Sequence, residues 1–189
     1  MRYLYALMGI FLLLAATAAA GSFTAEMDVD TYVDADQANQ SFADSDLLWA
    51  ASVGAEPTKQ AYLSFINVLG AQGIFKPDQI ASATLTLDAA KVDKPGKVKA
   101  YFMHGVALDT MTWYDKLDYD AEVSSSPVDV DEAGSYTLDV TSIIKKAVET
   151  CIECGYTIVL VAEDDASVAF TSSEASKENK PILEYVTEE

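Results

Sequence analysis

The chain has 189 residues, with 30 Asp and Glu against 12 Lys and Arg, for a formal net charge of −18 at pH 7. So acidic a surface repels nucleic acid and anionic membranes and argues against both as partners. It favours solubility in salt, or neutralisation of clustered carboxylates by divalent cations.

Residues 1–20 read as an export signal. Met1-Arg2 is a minimal positive start, Tyr3–Leu14 is apolar, and Ala18-Ala19-Ala20 offers small residues for cleavage before Gly21. The competing reading is a retained anchor, since Tyr3 to Ala20 carries no charge and nearly reaches spanning length. Cleavage removes Arg2, takes the charge from −18 to −19 and leaves residues 21–189 as one expected domain. The expected location is secreted, at or outside the cell surface.

Gly21–Val33 is expected to form one or two strands, with Phe23, Ala25, Met27 and Val29 on one side. Asp34–Asp46 is a polar loop containing the glycan acceptor sequence Asn39-Gln40-Ser41. Leu47–Val53 is a strand in which Leu48 and Ala50 face away from Trp49, and Gln60–Asn67 alternates in the same way. Ile80–Asp88 alternates cleanly, with Ala83, Leu85 and Leu87 inward. Asp93-Lys94-Pro95-Gly96 signals a turn before a strand over Lys97–His104.

Met111–Tyr114 is read as a short strand and Asp115–Ala133 as an acidic loop. The strand carrying Tyr136 and Leu138 then leads to a helix at about 142–149, with Thr141 or Ser142 as its cap. Ile143, Ile144, Ala147 and Val148 form its apolar face, and Gly155 is expected to stop it. Tyr156–Ala162 is almost wholly apolar and β-branched, so it should lie centrally with both faces covered. Ser167–Ser172 and Pro181–Thr187 complete the set. About ten short strands, one short helix and evenly spaced turns predict an all-β fold, a two-sheet β-sandwich of jelly-roll type.

Several stretches carry a family likeness. They are Asp30-Thr31-Tyr32-Val33, the run Ser41 to Asp46, Ala61-Tyr62-Leu63-Ser64-Phe65, Ile80 to Leu87, Thr112-Trp113 and Leu138 to Ser142. Tyr156–Val161, Phe170 to Glu174 and Pro181-Ile182-Leu183 follow in order. Together they resemble the DNRLRE domains, also called carbohydrate-binding module family 96 and related to disaggregatase-type repeats of surface proteins. The resemblance implies a secreted β-sandwich jelly roll that binds polysaccharide and is not an enzyme. Where family members carry arginine before the Ala-Tyr-Leu strand and before the C-terminal glutamate, this chain has Gln60 and Ser173.

Aromatic rings can stack on the apolar C–H faces of pyranose rings while nearby polar groups fix orientation. Trp49, Tyr101, Trp113, Tyr114 and Tyr119 are the candidate sugar contacts, set against ordinary core packing. Asp28, Asp30, Asp34 and Asp36 are candidate ligands for a structural calcium, and Glu163, Asp164 and Asp165 form a second acidic cluster. The competing reading is solvated acidic loop, and no EF-hand pattern is present. Cys151 and Cys154, the only cysteines, read first as a disulfide between helix and strand. His104 is the sole histidine, and no nucleophile elbow, phosphate loop or metalloprotease motif occurs. A second function class is a surface protein that self-associates through edge strands into a sheath, filament or matrix.

Overall fold

The structure, a computed structural model, describes residues 21–66, 69–175 and 179–188. The segment read as an export signal, residues 1–20, lies outside the described residues. Among those described, no helix is long and apolar enough to cross a membrane.

The chain is mostly strand. The first half runs β1 (Ser22–Thr24), β2 (Met27–Asp34), β3 (Leu47–Val53), β4 (Glu56–Phe65), β5 (Ile80–Lys94) and β6 (Gly96–His104). The second half runs β7 (Asp120–Ser124), β8 (Val128–Val130), β9 (Gly134–Asp139), the helix α1 (Thr141–Thr150), β10 (Tyr156–Glu163), β11 (Ser167–Thr171) and β12 (Ile182–Thr187). Every pairing is antiparallel. The order along the hydrogen-bonded path is β1-β12-β5-β11-β3-β4-β10-β6-β7, with β2 on β4, β8 on β6 and β9 on β5. The pairings thus trace one continuous sheet.

That sheet curls so that one face becomes the interior. Leu48, Leu63, Leu87, Phe102, Leu160, Phe170 and Leu183, from seven different strands, share a single buried cluster. Register shifts within the β2–β4, β3–β4, β5–β11, β5–β12 and β6–β7 pairs mark where strands bend. The alternation in β5 sets its orientation, with Ala83, Leu85, Leu87 and Ala89 buried. The near-continuous apolar run of β10 has its reason in its neighbours. It is flanked by β4 and β6 and is covered on both faces, with Ile158 and Leu160 in the main core and Val159 and Val161 in a second cluster.

α1 lays Ile143, Ile144, Ala147 and Val148 onto the main core. Its cap differs from the one read off the sequence. Val140 is the N-cap and makes no side-chain cap bond; Thr141 lies inside the helix. Instead the Asp139 carboxylate accepts from the Thr141 amide at 3.0 Å and from its hydroxyl at 2.6 Å. These bonds hold the Asp139 carboxyl below the usual carboxylate range. The helix ends at Thr150, so Gly155 is not its stop.

Two further corrections concern residues 105–133. Met111–Tyr114 contains no strand, and the expected loop Asp115–Ala133 holds β7 and β8. Both are short and pair with β6, an edge that a local reading of DAEVS and VDV does not reveal.

Candidate functional site

The outer face of β4, β10 and β6 is not left to solvent. Period-two alternation puts Gln60, Tyr62 and Ser64 of β4, Thr157, Val159 and Val161 of β10, and Tyr101 and Met103 of β6 on that side. The loop from Gly105 to Tyr119 folds across it and adds Ala107, Met111, Trp113 and Tyr119, making the second apolar cluster with Val33 of β2.

A chain of buried hydroxyls roots this loop. The Ala107 amide donates to Ser64 Oγ at 2.9 Å, and Thr157 Oγ1 donates to the Gly105 carbonyl at 2.8 Å. Ser64 Oγ and Thr157 Oγ1 lie 2.8 Å apart. Since the Thr157 proton is committed to Gly105, Ser64 must be the donor between them. The relay leaves the loop at Ala107 and re-enters it at Gly105, so both hydroxyls, on fully buried residues, donate and accept within the protein. Gly155 beside it has a packing role: a Cβ there would sit 2.4 Å from Val106 Cγ1 at the loop's root.

At its far end the loop and the start of β4 leave an open cleft of about 390 Å³, lined among others by Glu56, Gln60, Trp113, Lys116, Asp118 and Tyr119. Trp113 is half-buried, with the Lys116 ammonium 4.7 Å from its ring centroid. Tyr119 packs on Tyr101, ring centroids 4.5 Å apart and tilted by 37°. The Tyr62 hydroxyl sits behind them, bonded to the Gln60 side chain at 3.0 Å and to the Leu117 carbonyl at 3.3 Å. Burial, with Tyr119 and Asp118 adding, pushes the Tyr62 hydroxyl well up. Burial does the same at Tyr119, helped by Tyr101, Asp118 and Glu163. Both phenols therefore stay protonated donors. The Gln60 side-chain oxygen accepts from Tyr62, and the residue itself lines the cleft. Aromatic surface, a neutral amide and a few charges converge there, an arrangement suited to orienting a polyhydroxylated ring.

The sequence-predicted site residues do not all join this cleft. Trp113 lines it, and Tyr101 supports it from behind with Lys99 5.1 Å above its ring. Tyr114, the neighbour of Trp113, is 75 % exposed and does not line the cleft. Trp49 lies elsewhere on β3, with the Lys59 and Lys91 ammoniums 5.4 and 5.0 Å from its ring centroid. Gln60, Lys116 and Asp118 entered the site unannounced. The only sequence signal was Gln60 standing where the family likeness expects arginine.

The four aspartates at the other candidate site separate. Asp28 and Asp36 are exposed, while Asp30 and Asp34 are buried. Asp30 accepts from the Ser173 amide at 2.7 Å and its hydroxyl at 3.0 Å, yet burial still raises its carboxyl above the ordinary value. Asp34 accepts from the Asp36 amide at 2.9 Å and pairs with Lys59 at 2.7 Å. Asp164 and Asp165 form the turn that follows Glu163, where Asp165 accepts from the Gly54 amide at 2.8 Å and Asp164 pairs with Lys97 at 3.3 Å. Among the described residues no three His, Cys, Asp or Glu side chains are grouped to hold a metal ion. Cys151 and Cys154 are joined as a disulfide, Cα atoms 5.3 Å apart. Asn39 is exposed on the loop before β3, and His104 is exposed at the end of β6.

An all-β scaffold with an open aromatic cleft that also carries amide and carboxyl groups has the form of a glycan-binding module. The chain belongs to carbohydrate-binding module family 96, whose family model matches residues 22–187. No curated protein matches it.

Proposed function

We propose that this chain is a secreted, non-catalytic module that grips extracellular or cell-surface polysaccharide through the cleft between the Gly105–Tyr119 loop and the start of β4. The observation that carries this reading is Trp113, held half-buried beside Gln60 and Tyr119 in an open cleft. Family membership supports it, and supports describing the curled sheet as a two-sheet jelly roll. Trp49, by contrast, does not line this cleft; both tryptophans carry lysine ammoniums over their rings, so it is position and not lysine cover that sets Trp113 apart.

Affinity electrophoresis of the purified protein against a panel of soluble polysaccharides tests the reading, each gel run with calcium and with chelator. Retardation by at least one polysaccharide is expected, and Trp113→Ala should weaken it by about tenfold or more. Trp49→Ala should leave it within about twofold. Unaltered retardation of the Trp113 variant removes the cleft from the account. Loss of retardation in chelator would bring calcium into the binding.

Self-association is the second reading. The hydrogen-bonded path ends at β1 and β7 without their pairing to each other, which leaves strand edges for a second copy. Sedimentation at rising concentration decides it, and a monomer throughout rules it out.

A further inference from the structure

We infer that the module holds a second sugar-binding cleft, between the first half of the Gly105–Tyr119 loop and residues 39–45, and that one polysaccharide strand runs from it to the cleft at Trp113; this rests on the Trp113 cleft being a binding site. The second cleft is open and holds about 740 Å³, more than the first. Asn39, Gln40, Phe42 and Asp44 line it from one side, Thr110 and Thr112 from the other. Thr112 lines this cleft and Trp113 the first, so backbone positions only about 3.8 Å apart serve as wall to both.

The walls are built before any sugar arrives. Phe42 stacks on the buried Tyr32, ring centroids 4.2 Å apart and 20° between the planes, which anchors its side of the cleft to the core. Ser41 Oγ donates to the Asp109 carbonyl and ties one wall to the other. On the loop side the Asp115 carboxylate accepts from the Thr112 amide at 2.6 Å and from its hydroxyl at 2.5 Å, which fixes the step between the clefts. Walls held in this way need little ordering on binding. The side chains of Asn39, Gln40 and Thr110 are exposed and make no hydrogen bond among the described residues. Two amides and a hydroxyl can each donate and accept, which matches the hydroxyls around a sugar ring. A strand held in the first cleft presents its next rings to the second at high effective concentration, so weak contacts there add to affinity.

The test uses size-graded oligosaccharides, from disaccharide to octasaccharide, cut from glucan, mannan, galactan and polyuronate. Calorimetry reads their affinity for protein made in a host that leaves Asn39 unmodified. In a series that binds, affinity should climb about tenfold once the oligosaccharide is long enough to reach both clefts, and then level off. The triple variant Asn39→Ala, Gln40→Ala, Thr110→Ala should abolish the climb. It should leave the shortest binding oligosaccharide within about twofold, since these side chains are exposed and do not line the Trp113 cleft. Trp113→Ala should weaken every length. No climb in any series, a climb that survives the triple variant, or a triple variant weakened equally at every length overturns the second cleft while leaving the first intact. No binding in any series, or binding indifferent to Trp113→Ala, overturns the first cleft and this inference with it.

Discussion

Asp30 shows how a single residue can be tied in and still be uncomfortable. Its carboxylate takes two bonds from Ser173, at 2.7 and 3.0 Å, and so staples β2 to the turn after β11. Desolvation nevertheless outweighs those bonds and raises its pKa above the ordinary 3.8. The sign of the linkage follows. A folded-state pKa above the unfolded one means the folded protein takes up this proton first as pH falls. Acidification through the raised pKa down to about 3.8 should therefore stabilise the wild type relative to Asp30→Asn, the gain being complete below that value. At neutral pH the two should lie within about 1 kcal/mol, since the variant loses charge-assisted bonds but also the cost of burying a charge. Urea unfolding at neutral and mildly acidic pH measures this, and a difference independent of pH would refute it.

At the scale of elements, the loop from Gly105 to Tyr119 is the piece that turns a sheet face into a site. Its root rests on the relay from Ala107 through Ser64 and Thr157 to Gly105. Thr157→Val keeps the shape and removes the hydroxyl, leaving the Gly105 carbonyl and the Ser64 proton without partners. The expected loss is about 2 kcal/mol of stability, read as a lowered urea midpoint with unchanged slope. Because Trp113 and Tyr119 hang from this loop, glycan affinity should fall too, although Thr157 lies away from the cleft. A stable variant with undiminished affinity would separate the relay from the site.

The same elements show what the sequence could disclose. β5 and β12 were legible because their burial follows a period of two, and β10 because it is apolar throughout, while β3 and β11 are buried on both sides over most of their length. β7 and β8 were not, since DAEVS and VDV alternate over too few residues, within an acidic stretch, to stand out from loop, and they become strands by pairing with β6. The cleft was half legible. Trp113 and Tyr119 could be picked out as aromatic, but Gln60 joins them only because β4 runs under the returning loop. Trp49 looked equivalent to Trp113 in the sequence, but it lies on β3 and does not line the cleft.

Across the whole molecule, the interior and the site draw on opposite faces of one sheet. The main core holds inward residues of most of the strands, and the outer cluster carries the cleft, so β10 contributes to both at once. The Cys151–Cys154 bridge lies outside this arrangement, closing a small ring between α1 and β10. Such a ring contributes only about 2 kcal/mol on the loop-entropy estimate. The relay under the loop offers a built-in spectroscopic reporter. The hydroxyl protons of Ser64 and Thr157 are sealed from bulk water and can swap for deuterium only when the strap above them lifts. Their resonances should linger in proton NMR spectra where those of surface serines vanish. A bound sugar that clamps the strap should make them linger longer still.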